Sequence, residues 1–71
     1  MTTTHKIWKA VGYDAAVAHV RRMNTDELFF EEYWSREEDE KEGAPGVHRI
    51  VLEEIEGRFR AMEKELNKAV G

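Results

Sequence analysis

Seventy-one residues without a cysteine make one small domain whose core no disulfide, thiolate zinc site or thiol nucleophile can supplement. The net charge of −4 hides a segregation. Residues 23–56 hold twelve acids against Arg36, Lys41 and Arg49, whereas the flanking segments are basic. An acidic centre disfavours nucleic acid as the main ligand, since phosphate neutralisation needs clustered Lys and Arg, and it suits a protein partner with a basic surface.

The opening Met-Thr-Thr-Thr-His-Lys does not read as a signal peptide, no apolar run is long enough to span a membrane, and the expected compartment is the cytoplasm. Residues 1–4 are expected to be disordered, with His5 in a mobile terminus. Ile7, Trp8 and Val11 fit one or two turns of helix from near Thr4, which Gly12 interrupts. A helix over about 14–23 follows, with Asp14 as its cap. It presents Ala16, Val17, Val20 and Met23 on one side, and Arg21 and Arg22 stand at its carbonyl end.

Asn24 and Glu27 have capping-box spacing and open a second helix over about 25–42. Glu32 pairs with Arg36, and Glu37 with Lys41, one turn apart. Gly43-Ala44-Pro45-Gly46 ends it, with Gly43 suited to a left-handed position and Pro45 to a helix start. The third helix, about 46–70, carries the clearest stripe: Val51, Leu52, Ile55, Phe59, Met62, Leu66, Ala69 and Val70. Gly57 sits opposite that stripe. The expected fold is therefore all-α: an antiparallel hairpin of 25–42 and 46–70, with the additional N-terminal helix packed across it. Ile55, Phe59, Met62 and Leu66 step as a short a/d seam through which a homodimer could form.

The segment Asp26-Glu27-Leu28-Phe29-Phe30-Glu31-Glu32-Tyr33-Trp34 does not fit one buried stripe. With Leu28 at zero, its apolar side chains spread to about 240° at roughly 100° per residue. Two-sided packing would absorb Phe29, Phe30 and Tyr33 into the core, leaving the edge around Trp34 and Leu28 for a partner. The partner-binding face so defined joins Leu28, Phe29, Tyr33 and Trp34 to an acidic rim of Glu31, Glu37, Glu38 and Asp39.

Catalytic patterns are missing from the sequence. No His-x3-His or His-Glu-x2-His spacing occurs, the single serine, Ser35, lacks a nucleophile elbow, and no glycine loop could cradle phosphate. Neighbouring carboxylates on a helix point apart. The expectation is a protein that is not an enzyme, holds no cofactor or metal, and binds a larger protein that it inhibits or modulates. An inhibitor encoded by a phage or mobile element, occluding a host nucleic-acid-handling or defence complex, and a self-associating structural protein are the alternatives.

The segment 26–34, followed by a turn and Ile50-Val51-Leu52-Glu53-Glu54-Ile55 with basic residues at Arg58 and Arg60, resembles the Sda family of small helical-hairpin inhibitors of sporulation histidine kinases. The likeness covers about half the chain, over residues 25–60. It implies a hairpin that docks on the dimerising helical domain of a kinase and blocks autophosphorylation, with Leu28, Tyr33 and Trp34 at matching positions. This chain differs in its extra N-terminal helix and longer turn.

Overall fold

The computed structural model describes residues 2–42 and 46–70, and among them the fold is all-α. Four helices follow one another: α1 (Thr3–Val11), α2 (Tyr13–Arg21), α3 (Thr25–Glu42) and α4 (Val47–Val70). The expected breaks at Gly43, Ala44 and Pro45 lie outside the described residues, as does Met1.

Each start has a local cause. Thr2 is the N-cap of α1, its hydroxyl accepting the His5 backbone N–H at 3.1 Å. Residues 2–4 are thus a cap and a first turn, not a disordered tail, and Thr4 is fully buried. Gly12 ends α1 by donating to the Trp8 carbonyl and begins α2 by accepting from Ala16. It does so at φ +98°, a conformation L side chains rarely adopt, so Gly12 and not Asp14 is the cap of α2. Asp14 instead sits in the first turn, where its charge faces the amide end of the dipole. The capping box of α3 forms in both directions: Glu27 N–H donates to Asn24 Oδ1 at 2.8 Å, and Asn24 N–H to Glu27 Oε1 at 3.2 Å. Gly46, also at positive φ, accepts the first bond of α4 from Ile50.

α3 and α4 form the hairpin. α2 rests on α4, and α1 folds back along α2, so the N-terminal pair leans on α4 more than it spans the hairpin. The core is small: Ala16 and Val20 from α2, Leu28 from α3, and Ile50 and Val51 from α4, with Ile7, Trp8, Val17, Met23 and Ile55 packed against them. Val47 is also buried. Arg58 ties the end of α2 to α4. Its guanidinium pairs with Glu54 at 2.8 Å and donates to the Met23 and Arg21 carbonyls, compensating the negative end of the α2 dipole. Of the α4 stripe, Val51 and Ile55 serve the core, whereas residues 59–69 are exposed.

Candidate functional site

The two sides of α3 are the reverse of what its apolar residues suggest. Around Leu28 as zero, Ser35, Asp39 and Glu32 fall within about 40°, and Glu31 and Glu38 within about 80°, at 100° per residue. Leu28 is 1% exposed and Ser35 is fully buried, its hydroxyl donating to the Glu32 carbonyl at 3.2 Å. The inward side of α3 is therefore one leucine, one serine and a row of carboxylates.

Histidines make that polar interior tolerable. His5, 1% exposed, presents Nε2 to Asp39 Oδ1 at 2.8 Å and Nδ1 to Thr2 Oγ1 at 2.6 Å and Glu38 Oε2 at 3.0 Å. Asp39 Oδ2 also accepts the His48 backbone N–H at 3.0 Å, and His48 Nε2 lies 3.1 Å from Glu32 Oε1. Asp39 thus joins α1, α3 and the first turn of α4. Burial by itself raises the Glu38 carboxyl; the charge of His5 and a hydrogen bond with the Thr2 backbone are among the effects that outweigh it, and Glu38 titrates below its ordinary value.

The expectation of a mobile His5 is corrected: it is among the largest fully buried side chains. Thr2, His5 and Asp39 line up as hydroxyl, imidazole and carboxylate, yet Thr2 Oγ1 already serves as a helix cap and Glu38 competes for the same ring nitrogen. This is a latch between helices. Among the described residues no group of His, Asp or Glu is arranged to hold a metal ion.

The aromatic side chains occupy the opposite side of α3. Phe29, Phe30, Tyr33 and Trp34 are 48%, 71%, 47% and 55% exposed. None of Phe29, Phe30 and Tyr33 joins the core as expected, because α1, α2 and α4 all lie on the Leu28 side. Tyr33 and Trp34 meet edge to face with ring centroids 5.2 Å apart, and the Arg36 guanidinium stands 5.7 Å from the Tyr33 ring. These contacts stiffen a surface cluster. Beside it a groove runs along Thr2, Thr3, Glu31, Tyr33, Trp34 and Glu37. Glu31 Oε1 is buried there without a hydrogen-bond partner.

The partner-binding residues read from the sequence therefore divide. Phe29, Tyr33 and Trp34 are exposed together, with Glu31 and Glu37 on their border. Leu28 is withdrawn into the core, and Glu38 and Asp39 are committed to His5. Phe30, which the reading placed inside, is the most exposed of the four. Of the self-association residues, Phe59, Met62 and Leu66 are exposed and Ile55 is half-buried against the core. The His5–Asp39–His48 cluster had no spacing signal; the seven-residue interval from Glu32 to Asp39, in register with Leu28 to Ser35, was the only hint of it.

No helix among the described residues is long and apolar enough to cross a membrane. Compared with protein-family models, curated proteins and solved structures, the chain has no match.

Proposed function

We propose that this chain is a cytoplasmic, non-enzymatic binding module that inhibits or modulates a larger protein through the outward side of α3. The observation that carries the reading is the placement of Phe29, Phe30, Tyr33 and Trp34 on one exposed side, away from the core. Aromatic anchors of this kind bury large areas with few rotors and dominate interface energetics. Glu37, in the groove that Glu31 and Lys41 also line, offers a carboxylate to an arginine or lysine at the edge of the cluster. The resemblance of residues 25–60 makes the helical dimerisation domain of a histidine kinase the specific partner to try first.

The test compares capture of partners from the native host by the wild type and by the Tyr33→Ala/Trp34→Ala double variant, followed by kinase autophosphorylation assays. Loss of the captured protein in the double variant supports the reading; full retention refutes the surface. A second reading is favoured by the charge of α3, which holds nine acids against Arg36 and Lys41. Such a helix would occlude the basic, nucleic-acid-binding surface of a host complex, as a phage-encoded inhibitor would need to. Binding that does not weaken as salt rises excludes that electrostatic route.

A further inference from the structure

The chain is too extended for its size. Its accessible surface is 5259 Å² and its mass 8.3 kDa, for which a compact monomer would expose about 4600 Å². Its radius of gyration is 13.7 Å, against about 11 Å expected for this length. The excess surface, roughly 700 Å², is close to the ~800 Å² that each partner contributes to a standard interface.

The second half of α4 contributes to this excess. The start of α3 meets α4 in a groove lined by Thr25, Leu28, Phe29, Phe59 and Met62. Beyond it, residues 63–69 continue for about two turns with every residue exposed. Their apolar stripe does not stop with the groove: Met62, Leu66 and Ala69 line a further concave strip, and Leu66 is 64% exposed.

We propose that a second copy of this chain covers the strip, giving a two-fold dimer in which the distal halves of two α4 helices pack antiparallel with Leu66 near the axis. Phe59 closes each end of the interface. Charge selects this occupant. Residues 61–69 carry Glu63 and Glu65 against Lys64 and Lys68, a net of zero, so two such strips meet without net repulsion. The aromatic side of α3 belongs to a helix of net charge −7 and resists its own copy. Antiparallel packing also sets the two acidic α3 helices at opposite ends of the dimer and opposes the α4 dipoles, whereas parallel packing would bring both heads together. The dimer then displays two outward aromatic faces, and a partner that is itself two-fold would be gripped twice. The inference is independent of the α3 reading, since it uses a different helix.

Sedimentation equilibrium of the full chain, from micromolar to millimolar concentration, tests it. The wild type is expected to dimerise, and Leu66→Glu to raise the dimer Kd by ~100-fold or more by placing two carboxylates at the axis. Far-UV circular dichroism should show the variant still helical, and Leu66→Ala should weaken the dimer by a smaller factor. Trp34→Ala is expected to leave Kd unchanged. A wild type that stays monomeric to millimolar concentration overturns the proposal, whatever the variants do. So does a dimer that Trp34→Ala dissociates and Leu66→Glu does not.

Discussion

Removing the Asp39 carboxylate should unfasten three helices at once. In Asp39→Ala, His5 Nε2 loses its 2.8 Å acceptor, and the first turn of α4 loses the 3.0 Å bond to the His48 amide. Each bond to an ionised group is worth about 1.5–3 kcal/mol when buried, and the 16% exposure of Asp39 argues for the lower part of that range. The two together predict a loss of ~2–4 kcal/mol. A domain of this length has only about 4–10 kcal/mol in total, so the fall in Tm should be about 10–25 °C. Asp39→Asn separates the two contributions. Its amide oxygen can still accept the His48 N–H, but its NH2 group cannot accept from His5, so it should lose about 1–2 kcal/mol. Urea unfolding followed by far-UV circular dichroism gives both values, and a double-mutant cycle with His5→Ala isolates the His5–Asp39 coupling. A change within ~0.5 kcal/mol for Asp39→Ala, the range of ordinary surface substitutions, would refute the latch.

Two further outcomes follow from single positions. Gly57 lies mid-helix in α4, exposed, with nothing within 4 Å of where a Cβ would stand, so Gly57→Ala should stabilise the chain by ~1 kcal/mol in the same urea assay; no gain would refute the reading of Gly57 as a plain solvent-facing helix position. Glu38, held below its ordinary value, adds stability that is fully present above the unfolded carboxylate pKa and is lost as pH falls through its folded value. Glu38→Gln should remove that part of the acid sensitivity, flattening the plot of Tm against pH below about pH 4.3.

The parts legible in the sequence are those set by local chemistry. Asn24 and Glu27 announced the start of α3 because a capping box needs only four consecutive residues, and both of its bonds form. Gly12 announced the break before α2 because the chain turns there at positive φ. Ala16 and Val20 lay on a stripe of ordinary width and are buried as that stripe requires. What was not legible depended on tertiary partners. Nothing near His5 tells that a carboxylate thirty-four positions away will hold it, so it read as part of a loose end. On α3 the apolar pattern pointed to the wrong side, because the true inner side is polar and becomes buriable only when His5 and His48 answer its carboxylates.

That reversal bears directly on function. Fully burying a phenylalanine or leucine side chain stabilises a fold by about 1.5–3 kcal/mol, and α3 carries four aromatic residues that could have supplied several times that. A chain of 71 residues with six buried apolar side chains has little stability to spare, and its inward α3 face is nonetheless given to Leu28, Ser35 and carboxylates. Folding alone would favour the opposite arrangement, with the aromatics inside and the acids in water. Helical propensity does not ask for aromatics on the outside either, since Phe, Tyr and Trp are weaker helix formers than the Leu, Glu or Lys that could replace them. The exposure of Phe29, Phe30, Tyr33 and Trp34 is instead what the proposed binding role calls for, with another protein taking the water's place. The His5–Asp39–His48 latch is then the compensation that lets the helix stay folded while its apolar side is turned outward. On this argument, moving apolar residues to the inner side, as in Glu32→Leu with His48→Leu, should stabilise the isolated chain without restoring any partner binding lost through Trp34→Ala.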